Sequence, residues 1–119
     1  MRRKNIKDRC EKNCFDKCPE VCKTYDAVQT AYAKKLQKQE EISEFRCNVP
    51  FEAEEGSELE RYTSDIVCVK SDGEMIVREC LWRKNLTRPK VTRLLDASKD
   101  YWLERGVTDW GIVIDEEYA

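Results

Sequence analysis

Hydrophobic and polar positions alternate with two periods along this chain. Tyr25, Val28, Tyr32 and Leu36 recur at helical spacing, and the pattern predicts a helix from Pro19 to about Gln39. Phe45, Cys47 and Val49 alternate with Arg46 and Asn48, the period of a half-buried strand that Pro50 ends. Five glutamates around Gly56-Ser57 read as a solvated loop. Tyr62 to Lys70 is a strand whose unbroken apolar run Ile66–Val69 predicts burial on both faces. Ser71-Asp72-Gly73 is a turn, and Met75 to Trp82 the returning strand. Pro89 opens a second helix with Val91, Leu94, Leu95, Ser98 and Trp102 on its buried stripe and Gly106 just past its end. Trp110 to Ile114 closes the series as a short buried strand. The expected architecture is α/β (α+β): helix, three strands, helix, strand, with the last strand returning parallel to a neighbour after a helical crossover.

Composition narrows the chemistry. At 119 residues, 40% hydrophobic and 39% charged, the chain suits one core with a heavily charged surface. No apolar run approaches the length of a membrane span, so no membrane role is expected. There is no histidine, which excludes Ser-His-Asp and Cys-His nucleophiles and His-ligated zinc. Seven cysteines, an odd count without a secretory leader, point to reduced thiols in the cytoplasm. Cys10, Cys14, Cys18 and Cys22 repeat every four residues. On one straight helix they would span about 18 Å. A four-thiolate zinc site would therefore need a break near Cys18-Pro19, and small buried thiols are the alternative. Charge is segregated: residues 1–38 and 78–93 are basic, residues 39–60 acidic. Such segregation fits either a polyanion-binding face or ordinary solvated helix surfaces. Lys84, Arg88, Lys90 and Arg93 are the candidate phosphate contacts beside the second helix's N-terminus.

Two carboxylates fall where neighbours are buried: Asp65 at the head of the apolar run, and Glu79 late in the returning strand. Burying either is costly unless it is paired or binds metal. Hairpin register decides whether they meet. A three-residue loop at Ser71-Asp72-Gly73, with Gly73 left-handed, sets Asp65 opposite Glu79, close enough to share a divalent cation. A two-residue loop at Asp72-Gly73 sends Glu79 to the other face.

An Asp on one strand followed by a Glu on the next is similar to the PD-(D/E)XK nuclease signature. The run from Thr63-Ser64-Asp65 through Asp72-Gly73, Glu79, Leu94, Tyr101-Trp102, Gly106 and Trp110 to Ile114 resembles TnsA, the endonuclease subunit of heteromeric transposases. The resemblance covers about residues 24–119 and leaves 1–23 as a basic, cysteine-rich N-terminal extension. It implies a restriction-endonuclease-like core, a central mixed sheet flanked by helices, a Mg²⁺ or Mn²⁺ site and DNA as substrate, with no small-molecule substrate. Carried onto this chain, it makes Asp65, Glu79 and the Cys80 carbonyl metal ligands. The family's first-helix acid falls at Gln29 and its motif lysine at Leu81, two departures from the pattern. Gln29 would complete the site through its amide oxygen, and Arg83, read as lying on the same strand face, would steady phosphate but cannot act as a base. The alternative is a degenerate nuclease fold kept for DNA binding or assembly; a third, weaker reading is a metal-binding module built on the cysteines. One copy offers little DNA-contact area, so a homodimer or a protein partner is expected.

Overall fold

The computed structural model describes residues 1–115. In chain order it contains β1 (Arg2–Arg3), β2 (Glu11–Asn13), β3 (Cys22–Thr24), α1 (Ala27–Gln37), β4 (Ile42–Pro50), β5 (Tyr62–Lys70), β6 (Met75–Leu81), α2 (Pro89–Glu104) and β7 (Asp109–Ile114). Short 3-10 turns lie at Glu58–Arg61 and Arg83–Asn85. The central sheet is mixed. β5 is its middle strand, antiparallel to β4 on one side and to β6 on the other, and β7 runs parallel to β6 after the α2 crossover. β1 pairs with the first two residues of β5, and β2 with β3 in a separate ribbon.

The two helices cover opposite faces. Val28, Ala33 and Leu36 of α1 pack with Ile42, Phe45, Ile66, Cys68 and Cys80. Leu94 and Trp102 of α2 pack with Phe51, Tyr62, Val67, Val77 and Val107. β5 lies between both layers; its first seven residues are buried, Ile66 to Cys68 of the apolar run among them, while Val69 is half-buried. Burying so much of one strand on two faces is what makes a carboxylate in it demanding.

Several features differ from the expectation. α1 begins at Ala27 because the Asp26 carboxylate accepts the Gln29 N–H at 2.8 Å, a side-chain cap that fixes the helix start. Upstream of it, Cys22 and Thr24 point inward and Lys23 outward, a strand alternation too short to register as a period. β7 is an outer strand of the sheet, and its residues are half-buried or exposed rather than buried, with Ile112 41% exposed. β6 ends at Leu81, so Arg83 lies in the following 3-10 turn and not on the strand face of Glu79.

The β5–β6 hairpin takes the three-residue loop. Lys70 N–H donates to the Glu74 carbonyl at 2.8 Å, Gly73 N–H to the Lys70 carbonyl at 2.9 Å, and Gly73 has φ +90°. The ladder pairs Ile66 with Arg78 and Val67 with Val77, and its continuation brings Asp65 across from Glu79.

Candidate acidic site

The site forms where the β5–β6 ladder opens. Beyond Ile66 and Arg78, side-chain carboxylates replace backbone carbonyls as acceptors. Asp65 N–H donates to Glu79 Oε1 at 2.8 Å, and Cys80 N–H donates to Asp65 Oδ2 at 2.7 Å. Both carboxylates are fully buried. Ser64 and Val67 both belong to the α2 side of the sheet, so strict alternation is lost around Asp65 and frees its side chain to fill the gap.

Glu79 is held by hydroxyls from β5 and α2. Its Oε2 accepts from Ser64 Oγ at 2.8 Å and from Ser98 Oγ at 2.6 Å. Trp102 Nε1 donates to Ser64 Oγ, and Trp110 Nε1 to Ser98 Oγ. Trp102 is buried in the core and Trp110 is half-buried against it, and both orient the hydroxyls that grip the carboxylate. Sequence reasoning gave neither serine a role. Ser98 is a polar residue on an otherwise apolar stripe, which is the one signal that could have found it.

A cation already sits at the pair. The Met1 ammonium lies 2.6 Å from Asp65 Oδ2 and 3.8 Å from Glu79 Oε1, brought there by β1 pairing alongside the start of β5. Arg2 Nε is 3.8 Å from Asp65 Oδ1, and its guanidinium pairs with Asp26. Burial pushes the Glu79 carboxyl above its ordinary range; Asp65 adds repulsion, and the ammonium only partly offsets both. Burial works against charge on the Met1 amine, but Asp65 and Glu79 outweigh it and raise its pKa.

Lone-pair counting tests whether the pair suits a metal ion. A carboxylate offers about four acceptor positions. Glu79 gives three to protein donors, and the remaining one on Oε1 is on the atom nearest the ammonium. Asp65 Oδ2 is shared by Cys80 N–H and the ammonium, while buried Oδ1 has no hydrogen-bond partner among the described residues. The spare positions lie on Glu79 Oε1, 3.8 Å from the Met1 amine, and on Asp65 Oδ1, 3.8 Å from Arg2 Nε, so a hard cation would bind there only with these two groups displaced. Beside it a cavity of about 210 Å³ is lined by Met1, Arg2, Cys80, Leu81, Asn85 and Leu95, among others.

The other candidates divide. Gln29 is fully buried and reaches the site, but through its amide nitrogen: Nε2 donates to the Asp65 carbonyl at 3.1 Å and to Asn48 Oδ1 at 3.0 Å. Its oxygen accepts Tyr25 N–H, so it positions Asp65 and does not face the cation slot. Cys80 contributes its backbone N–H. Leu81, at the lysine position, is buried and lines the cavity. Arg83, Lys84, Arg88 and Lys90 are exposed around the entrance to α2. Arg93 is exposed too but bonded to Glu58 through two nitrogens, at 3.1 and 3.2 Å.

Cys10, Cys14, Cys18 and Cys22 differ in setting, Cys10 and Cys18 being half-buried. Cys14 is exposed, whereas Cys22 is buried in the α1-side core. Among the described residues, no group of three or more Cys, Asp, Glu or His side chains is arranged to hold an ion. Likewise, no described helix is long and apolar enough to cross a membrane. No family model and no curated protein matches the chain.

Proposed function

We propose that this chain is a metal-dependent DNA endonuclease with a restriction-endonuclease-like core, resembling the end-cutting subunit of a heteromeric transposase. One observation carries the reading: the hairpin register opposes two fully buried carboxylates, Asp65 and Glu79, and leaves Asp65 Oδ1 without a hydrogen-bond partner among the described residues. In this reading Asp65 and Glu79 hold Mg²⁺ or Mn²⁺. The bound ion would polarise a phosphate oxygen and make a hydroxide nucleophile accessible near neutral pH. Ser64 and Ser98 fix the Glu79 carboxylate, and Gln29 fixes the Asp65 backbone. Arg83, Lys84, Arg88 and Lys90 contact DNA phosphates, aided by the amides at the start of α2. Leu81 supplies no proton acceptor, so the chain's own residues bind and orient but provide no base at that position. A homodimer or protein partner supplies the rest of the DNA-contact area.

A specific observation favours the second reading, a DNA-binding or assembly subunit that has lost cleavage. Three protein donors hold Glu79, both carboxylates are inaccessible, and Leu81 is buried. A cleavage assay on supercoiled DNA with Mg²⁺ or Mn²⁺, comparing wild type with Asp65→Asn, separates the two. Asparagine keeps an acceptor for Cys80 N–H but removes the charge that pairs with the Met1 ammonium. Nicking that the substitution abolishes supports the enzyme. Equal background from both proteins, with DNA binding retained, supports the binding subunit.

A further inference from the structure

A second concentration of cations lies far in sequence from the start of α2, gathered by the N-terminal segment. An open cavity of about 350 Å³ is lined by Arg2, Arg3, Lys4, Lys23, Tyr25 and Asn48, among others, and by no carboxylate of the described residues. Backbone bonding sets each cation. Arg3 lies on β1, paired with Tyr62 of β5. Lys4 N–H donates to the Arg61 carbonyl at 2.8 Å, and Asn5 turns the chain there with φ +58°. Lys23 lies on β3, and its carbonyl accepts Asn48 Nδ2 at 2.6 Å. Arg2 is engaged by Asp26 and Asp65, whereas Arg3, Lys4 and Lys23 make no ion pair among the described residues. The β2–β3 ribbon adds to the imbalance, because its register opposes Lys12 directly to Lys23, both of them exposed. Like charges at directly opposed positions repel and destabilise the pairing. Positive charge is therefore crowded at this cavity without an internal partner, an arrangement that an external anion relieves.

We propose that this cavity binds successive phosphates of a single DNA strand, as a site separate from the cations at the entrance to α2. Charge favours a strand over a lone anion. Arg3, Lys4 and Lys23 together exceed the charge of one phosphate monoester, about −1.5 to −2. They match a run of diester phosphates, which carry one negative charge each. Tyr25 lines the same cavity and offers an aromatic surface to a base, and cations beside an aromatic are the combination that single-strand sites use. The cavity also leads to the acid pair. Thr63 lines it two residues before Asp65, and Arg2 lines both this cavity and the one beside Asp65 and Glu79. A strand held here runs toward the two carboxylates, on the far side of Arg2 from the duplex path along α2. That the strand is DNA rests on the proposed function; the unpaired cations do not.

The test titrates the ¹⁵N-labelled full chain with a short oligothymidylate in EDTA, and in parallel with inorganic phosphate at equal phosphate concentration, while backbone amides are followed by NMR. Saturable shifts at residues 3–6 and 23–25 with the oligonucleotide, and much weaker ones with phosphate, are the expected result. Lys4→Gln and Lys23→Gln should each reduce the slope of log affinity against log salt by about 0.7, and Tyr25→Leu should weaken binding about tenfold. Equal shifts with inorganic phosphate would mean an isolated anion site and overturn the proposal. Shifts confined to residues 83–93 would overturn it too, while leaving the nuclease reading intact. Shifts at the cavity without any Mg²⁺-dependent cleavage support it and leave the chain a binding subunit. No shift with either probe removes both. Because the mapping uses the unsubstituted protein, failure of a variant to fold does not blunt it.

Discussion

The acid pair is held by a few single side chains, each exposed to a sharp test. Ser98 is the most informative because its hydroxyl donates to Glu79 and accepts from Trp110. Ser98→Ala leaves a buried carboxylate oxygen and an indole N–H each short of a partner. The expected loss is about 1–3 kcal/mol of stability, together with a change in tryptophan fluorescence, both read by urea denaturation. A loss near zero would mean that solvent reaches Glu79 and that it is not sealed by α2. Arg93 poses a different question, since the bond to Glu58 competes with any phosphate contact. Arg93's hydrogen bond and charge hold the Glu58 carboxyl below its ordinary 4.5. A depressed carboxylate stabilises the fold above its unfolded pKa, and that contribution is lost as pH falls through the folded value. NMR titration should place the Glu58 midpoint below 4.5 and return it to the ordinary range in Arg93→Ala. If DNA binding recruits Arg93, saturating DNA should raise the Glu58 midpoint in the same way.

At the scale of elements, turn and cap residues decide what the acid pair can do. Gly73 sits at φ +90° in the loop that sets the β5–β6 register. Gly73→Ala puts a Cβ into the left-handed region at a cost of about 1–2 kcal/mol, measured by equilibrium unfolding. Deleting Ser71 is the harsher change, because a two-residue loop moves Glu79 to the opposite face and should abolish any Mn²⁺ binding at the pair. Asp26→Ala removes the α1 cap and the partner of Arg2, with an expected loss of about 0.5–2 kcal/mol. These elements also show what the sequence disclosed. The hairpin was legible because Ser-Asp-Gly has distinctive turn chemistry and an apolar run flanks it. α2 was legible from a long periodic stripe between Pro89 and Gly106. β1, β2 and β3 were not, since two or three residues carry no measurable period and their pairing is set by tertiary contacts. The acid pair could be located from register alone. The cation beside it could not: Met1 reaches Asp65 across 64 residues of sequence, and no local pattern encodes that contact.

For the whole molecule the question is whether the segregated charge forms a working surface. The acidic loop is tied to the α2 face through Glu58 and Arg93, so acidic and basic segments are not kept fully apart in space. Lys84, Arg88 and Lys90 remain exposed around the entrance to α2, and the cavity beside the acid pair is also lined by Asn85 and Val91 of the same region. A duplex lying across this entrance would bring a phosphate toward Asp65 and Glu79 while the three cations neutralise its neighbours. Each phosphate so neutralised contributes about −0.9 to the slope of log affinity against log salt. Replacing Lys84, Arg88 and Lys90 by alanine, singly, should therefore weaken DNA binding similarly across sequences. Each substitution should reduce that slope by about one, as measured by fluorescence anisotropy between low and moderate salt. Asp65→Asn should behave oppositely: removing one negative charge beside the phosphate path should leave DNA affinity equal or tighter while eliminating any metal-dependent cleavage. Unchanged slopes for all three alanine variants would place the duplex-binding surface elsewhere.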